Sequence, residues 1–294
     1  EIDRTLQLEE EPHKGHNRWH PVVPPILEVT PGEEVVLETR DGLGGRVRPV
    51  TTVGDLLDRA DPNALHAMTG PIYIQGAQVG DLLEVEYLDV IPEDWAFTAI
   101  IPGFGFLRDH FPDPYLVHWD LADGWATSPH LSGVRVPGAP FTGIAGVAPS
   151  HAQVRTWTER ERRAVERGGI ALPPEPQGAI PRTGPVATDG LRTIPPRENG
   201  GNLDMKNMTA GSRLYLPVFV EGALFSTGDA HFAQGDGEVC VTAVEMGATA
   251  AVRFNLLKGE AERRGIRTPI VTHNHYLKGS PFAGPERFIA TMGM

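Results

Sequence analysis

Residues 228–239, GDAHFAQGDGEV, bring together three carboxylates, one imidazole and one amide: Asp229, His231, Gln234, Asp236 and Glu238, spaced among Gly228, Gly235 and Gly237. Turn residues commonly cap their own backbone through short polar side chains, but that accounts for one or two such groups and not for five. Asp229 and His231 are two positions apart, so an extended backbone points both to the same side. Upstream, GGNLDMKN adds Asn202 and Asp204, again two apart, behind a glycine pair that lets the backbone turn sharply or approach another group. A mixed set of histidine and carboxylates suits a divalent cation. A cation with an open coordination position lowers the pKa of bound water to about 7 and polarises a carbonyl, which is the chemistry of a hydrolase. The alternative from a different class is a non-catalytic β-sandwich that binds a metal or small ligand through the same loop.

Other chemistries fit the residues less well. Position 233 is Ala, so the loop lacks a paired H-x-H, and no serine sits in a G-x-S-x-G elbow. The glycines of PGFGFLRD, residues 102–109, belong to an aromatic loop and do not open a helix behind a strand, so a nucleotide phosphate cradle is not expected. Cys240 falls in EVCVTAV, which reads as a strand with the thiol inside it, inert by burial. His273 and His275 in HNH have metal-compatible spacing, but the simpler reading is a surface segment.

The elements that must hold these groups are mostly strands. Among 294 residues, 34 Gly and 27 Pro cut the chain into short pieces, as in β-rich folds with many turns. PPILEVTPGEEVVLETRDG reads as two extended runs joined at Pro31-Gly32. GPIYIQGAQVGDLLEVEYLDVIP repeats the pattern, with Leu83, Val85 and Tyr87 alternating after Gly80-Asp81. The one clear helix is expected over residues 155–169, stopped by Gly168 and Gly169. GSRLYLPVFVEGALFSTGD and GEVCVTAVEMGATAAVRFNLL are the densest strand formers, with the polar loop between them and Glu238 at the start of the second. The expected organisation is an N-terminal β-rich part over 1–169, an irregular connection over 170–200, and a C-terminal β-rich part over 201–294 that carries the polar loop.

Composition narrows the partners. A formal net charge of −12 without a clustered basic stripe disfavours nucleic acid and anionic lipid, and no run approaches the roughly 20 apolar residues of a membrane span. One cysteine excludes an internal disulfide framework and fits a reducing compartment. With no basic and apolar leader at the start of the chain, the cytoplasm is the expected location.

Read together, HNRWHPVVPP, TGPIYIQGA, AIIPGFGFLRDHFPDPYLV, GVRVPGAPFTGIAGVAPS and the long segment from LRTIPPRENGGNLD through GDAHFAQGDGEVCVTAVEMGATAAVRF resemble the acetamidase/formamidase family over nearly the whole chain. The resemblance implies hydrolysis of the C–N bond of a short aliphatic amide, formamide or acetamide, to carboxylate and ammonia. It also implies a mainly β architecture of jelly-roll-like sandwich or barrel domains with few helices, and a homo-oligomer. The positions it marks are Asn202, Asp204, Asp229, His231, Gln234, Asp236 and Glu238, with His66 in HAMTGP added. On these we expect Asp204, Asp229 and His231 to ligate a metal and Glu238 to act as general base and then proton donor, while Asn202 and Gln234 hold the substrate amide or its oxyanion. His66 joins them as a further catalytic candidate. Zinc is the leading expectation, and an oxygen-rich set would favour calcium or magnesium. Phe104, Phe106 and Phe111 on one loop, and Trp119 and Trp125 on another, are candidates for the wall of the acyl pocket.

Overall fold

The computed structural model describes residues 1–169, 171–235, 237–273 and 288–289. Alternation decides which side of each strand is buried. Leu83, Val85 and Tyr87 of strand Leu82–Pro92, Val35 and Leu37 of Glu34–Thr39, and Val252 and Phe254 of Ala248–Leu257 all point into one core. These strands belong to a sheet in which Ala248–Leu257 lies between Glu34–Thr39 and Leu82–Pro92, followed by Arg213–Pro217 and Ile270–Thr272.

A second sheet covers the other side of that core. Its centre is strand Phe225–His231, buried along its whole length. Phe141–Gly146 pairs along one edge of it. The other edge is shared, with Met68–Ile74 along the first half and Glu245–Met246 along the second. Phe225 meets Phe254 across the core with ring centroids 5.2 Å apart, and the Tyr87 hydroxyl bonds Thr142 Oγ1 at 2.9 Å, which satisfies a polar group that would be costly to bury alone. The mainly β, few-helix architecture expected from the sequence is observed. Described strand pairs are antiparallel except Leu27–Val29 with Met68–Ile74. Both large sheets draw strands from either side of residues 170–200. Within that stretch, Leu191–Arg192 pairs with Arg18–Trp19.

The main helix runs His151–Glu166, starting four residues earlier than expected because Ser150 and Gln153 form a capping box. It pins the chain that leads into the site. Glu161 Oε1 accepts from Arg197 Nε at 2.6 Å, Glu198 accepts both ends of the Arg160 fork at 2.7 and 3.0 Å, and Asn199 Nδ2 donates to the Val147 carbonyl at 2.7 Å. The start of strand Gly200–Asn202 is thereby fixed before the chain reaches Asp204.

A buried histidine and carboxylate centre

Strand register builds the centre. His231, the last residue of Phe225–His231, lies opposite Phe141 on one side and Glu245 on the other, and Glu245 in turn lies opposite Phe97. Residues directly opposite in neighbouring strands share a face, so the His231 and Glu245 side chains must meet. They do: Glu245 Oε2 is 3.3 Å from His231 Nε2, and the Phe141 ring stands edge-on to the imidazole at 5.0 Å between centroids. Asp229 Oδ1 reaches the same nitrogen at 3.4 Å and Glu238 Oε1 at 3.7 Å. Asp204 joins from the neighbouring segment, its carboxylate oxygen within 4.8 Å of the Asp229 carboxylate oxygen and a His231 ring nitrogen.

Two carboxylates are held in unusual backbone. Asp229 has φ 56° and Asp204 φ 44°, left-handed values that Asp tolerates better than most residues and that cluster where structure serves function. Close glycine contacts frame them. The Gly143 carbonyl accepts from the amides of Leu203 and Asp204 at 2.9 and 3.1 Å, so strand Phe141–Gly146 positions Asp204 directly. A Cβ on Gly143 would lie 2.6 Å from Asp204 Oδ1 and 2.7 Å from His231 Cε1. From the other side, a Cβ on Gly42 would collide with Asp229 Oδ1 and Glu245 Oε2.

The electrostatics show an excess of buried negative charge. Burial, then the neighbouring Asp229 charge, pushes Asp204 well above the ordinary carboxylate range. Burial and Asp204 do the same to Glu238. Burial alone would lower His231, but Glu245 and Asp229 outweigh it and hold the imidazole well above its usual value. Burial would raise Asp229 too, and His231 and His66 reverse it and keep that carboxylate ionised. Without a further cation, these surroundings favour the protonated form of Asp204 and of Glu238. A divalent ion would replace those protons.

The donor atoms fit such an ion. Asp204 Oδ1, Glu238 Oε1, Glu245 Oε2 and both His231 ring nitrogens are buried without a hydrogen-bond partner among the described residues, as are Asn202 Oδ1 and both amide atoms of Gln234. Separations of 3.3 and 3.4 Å between donors match the edge of a tetrahedron with bonds of about 2.05 Å, the zinc value. They match equally an octahedron with bonds of about 2.4 Å, the calcium value.

Asn202, Asp204, Asp229, His231, Gln234 and Glu238 thus lie on segments that converge here. His66 is close by: its backbone amide and Nδ1 both contact Thr193 Oγ1, at 2.5 and 3.1 Å, and the charges of Asp229 and Glu245 oppose the lowering of its pKa by burial. Asp236 and His275 lie outside the described residues, and His273 is buried against Thr209 Oγ1 at 3.0 Å, not on the surface. Glu238 does not begin a strand. The described residues of 233–244 form no strand: Phe232 N donates to Val244 O at 2.8 Å, Val244 N donates to Ala233 O at 3.1 Å, and the strand starts only at Glu245. Glu245 was missed by sequence reasoning, although an acid between Val244 and Met246 in an apolar run is itself a signal of a paired or ligating charge.

Cys240 sits in a turn of this loop and not within a strand, half-buried, with Sγ 3.4 Å from the Thr242 carbonyl. Its described hydrogen-bond contacts are with Thr242 and not with the clustered acids. Cys240→Ala is expected to keep substantial turnover and to cost on the order of 1 kcal/mol of stability, read from ammonia release and a thermal melt. A well-folded variant with no activity would make the thiol the nucleophile.

Two stacked sheets, one of which carries a buried His–carboxylate cluster able to hold a metal ion, define a β-sandwich protein. The chain belongs to the Acetamidase/Formamidase family, which it matches over residues 1–294. The acetamidase of Mycolicibacterium smegmatis is 39% identical over 292 residues, covering 91% of this chain and 72% of that one. The formamidase of Methylophilus methylotrophus is 38% identical over 273 residues, 87% of this chain and 67% of that one. Among solved structures, a gamma lactamase from Delftia acidovorans superposes with a TM-score of 0.88 at 35% identity, covering 97% of this chain and 72% of that one. The acetamidase from Bacillus halodurans gives 0.69 at 26% identity, with 88% and 73% covered.

Proposed function

We propose that this protein hydrolyses the C–N bond of a short aliphatic amide to a carboxylate and ammonia, with a divalent metal ion assisting. The relatives named acetamidase and formamidase support the reaction, and so does the gamma lactamase, a lactam being a cyclic amide. The observation that carries the metal is the set of unpartnered, buried donors on Asp204, His231, Glu238 and Glu245 around an ionised Asp229.

Asp204, Asp229 and His231 would hold the ion, zinc first and calcium or magnesium as the oxygen-rich alternatives. When bound, it supplies Lewis acidity that polarises the amide carbonyl and lets water attack near neutral pH. Glu238 takes the proton from the attacking water and returns it to the departing nitrogen, a task suited to a carboxylate whose affinity for protons is raised by its surroundings. Asn202 Oδ1 and both amide atoms of Gln234 are buried without a hydrogen-bond partner among the described residues; Asn202 orients the substrate amide and Gln234 Nε2 stabilises the oxyanion, a good donor contributing about 3 kcal/mol. His66, steadied by Thr193, stands beside Asp229 as a further donor to substrate. Glu245 Oε2, 3.3 Å from His231 Nε2, offers a further ligand atom. A reducing, cytoplasmic setting and a homo-oligomer belong to the same reading, the first from the single cysteine and the second from the family resemblance.

The test is ammonia release from formamide, acetamide, propionamide and urea, before and after chelation, with metal content measured on the same samples. Release from formamide or acetamide that is lost on chelation and restored by zinc is expected. Release that survives complete metal removal would eliminate metal assistance. No release from any of the four amides would favour the non-catalytic binding module.

A further inference from the structure

Ionised carboxylates can only accept hydrogen bonds, so a donor to the carbonyl oxygen of a substrate must come from the amides and imidazoles beside them. Trp119, expected at the wall of the acyl pocket, supplies none: it is buried in the core with Nε1 donating to Thr98 Oγ1 at 3.0 Å. His66 is placed differently. Strand Met68–Ile74 pairs with Phe225–His231 so that Met68 faces Gly228, and the residue before Met68 lies against the same strand, a Cβ on Gly228 falling 2.6 Å from the Ala67 carbonyl oxygen. The charges of Asp229 and Glu245 reach the His66 ring.

Two segments are tied together to hold that ring. The Asn63 carbonyl accepts from Arg18 Nη2 at 2.9 Å, Asn63 Oδ1 from Arg192 Nη1 at 2.6 Å, and the Ala64 carbonyl from Asn17 Nδ2 at 3.1 Å. The Arg192 carbonyl in turn accepts from Arg197 Nη1 at 2.8 Å. Thr193, the next residue, is fully buried, and its hydroxyl meets His66 twice, at the backbone amide (2.5 Å) and at Nδ1 (3.1 Å). The amide can only donate, so it occupies a lone pair of Oγ1. The hydroxyl proton then needs an acceptor, because a buried donor left unpaired is costly. Its one hydrogen-bond acceptor among the described residues is His66 Nδ1. Nδ1 therefore keeps its lone pair and Nε2 carries the proton. Nε2 itself makes no hydrogen bond among the described residues.

On the reading that the centre cleaves amides, we infer that Thr193 is a positioning residue that fixes His66 as the Nε2–H tautomer, and that His66 is a neutral hydrogen-bond donor to the carbonyl oxygen of the amide. The proton stays on Nε2 throughout. The ring polarises the carbonyl and steadies the oxyanion as negative charge gathers there, while the proton transfers belong to Glu238. The same tautomer bars His66 from ligating an ion through Nε2, since the proton occupies the lone pair that a metal would need.

The experiment reads tautomer and kinetics separately. In wild-type protein labelled with nitrogen-15 histidine, the His66 signals, assigned by their loss in His66→Ala, are expected to show a proton on Nε2 and none on Nδ1. A proton on Nδ1 overturns the inference without any variant of Thr193 having to fold. Turnover of formamide and acetamide is then measured in Thr193→Val, Thr193→Ser, His66→Ala and the double variant His66→Ala/Thr193→Val, with metal content on each. Thr193→Val keeps the shape and removes the hydroxyl, so kcat is expected to fall about 10–100-fold with KM within about twofold, and Thr193→Ser to return within about threefold of the wild type. His66→Ala should lower kcat about 10²–10³-fold, the loss of one oxyanion donor, with metal content unchanged. Added to His66→Ala, Thr193→Val should change kcat by less than about twofold, because Thr193 acts through the ring already removed. Wild-type kcat in Thr193→Val overturns the inference, as does an undiminished effect of Thr193→Val in the His66→Ala background, which would make the threonine merely structural. Loss of metal in His66→Ala overturns it by making His66 a ligand. Each of these leaves the amidase reading standing, whereas absence of ammonia release by the wild type from every amide overturns both.

Discussion

Replacing Glu238 by Gln is expected to leave metal content intact and to lower turnover by roughly 10²–10⁴-fold, the range for loss of a general acid–base group. Gln keeps the shape of the side chain and removes its ability to take a proton. Glu238 is the cluster acid nearest solvent, its Oε1 is 3.7 Å from His231 Nε2 without hydrogen-bond geometry, and it sits on a loop, not on a strand. A group that must take up and release a proton while substrate enters is better placed there than at Glu245, which strand pairing locks behind His231. The loop is still anchored. Glu238 O accepts from Val241 N at 3.1 Å, and Phe106 N holds the next carbonyl. Asp204→Asn is the comparison: metal content should fall, because Asp204 is deep in the cluster and its Oδ1 has no hydrogen-bond partner among the described residues. Should Glu238→Gln shed the metal while Asp204→Asn retains it without turning over, the two roles are reversed.

Much of this centre was legible because its residues are close in sequence. Asp229 and His231 share a strand face by spacing alone, and Asn202 and Asp204 follow a Gly-Gly pair on a second strand that reaches Phe225–His231 through Phe141–Gly146. Glu245 was not legible in the same way. It meets His231 because backbone bonds of Phe232 and Ala233 with Val244 bring the two strands side by side, and no spacing rule connects the two. The stretch between these strands misled the strand expectation for GEVCVTAV. Its β-branched residues favour a strand locally, but Val241 at φ 79° and the Thr242 hydroxyl bonded to Ala99 show the backbone detained by tertiary contacts around the cluster. The helix failed by a smaller margin, since charge density located its body while the Ser150–Gln153 capping box, visible in the sequence, set its start.

Gly143 shows how a residue without a side chain can be decisive, and Gly143→Ala is expected to lower kcat/KM by roughly 10²-fold, as a displacement of about 1 Å at a reacting centre does. The added methyl would sit 2.6 Å from Asp204 Oδ1, 2.7 Å from His231 Cε1 and 2.9 Å from the Asp229 carbonyl, so three parts of the centre would have to retreat together. None can yield easily. Asp204 is tied to the Gly143 carbonyl through its own amide, His231 is pressed by Phe141, and Asp229 holds a left-handed backbone. Overpacking of this kind costs about 1–3 kcal/mol, which leaves the two-sheet core folded while it spreads the metal donors. Metal content should therefore fall along with activity, and circular dichroism should stay that of the wild type. Gly54→Ala serves as control: it lies in helix Val53–Arg59 and its nearest neighbour would be 3.7 Å away, so activity should be preserved. A Gly143→Ala protein with wild-type turnover and full metal occupancy would mean that Asp204 and His231 do not act on a common ion, and the ligand set would have to be rebuilt on His231, Glu238 and Glu245.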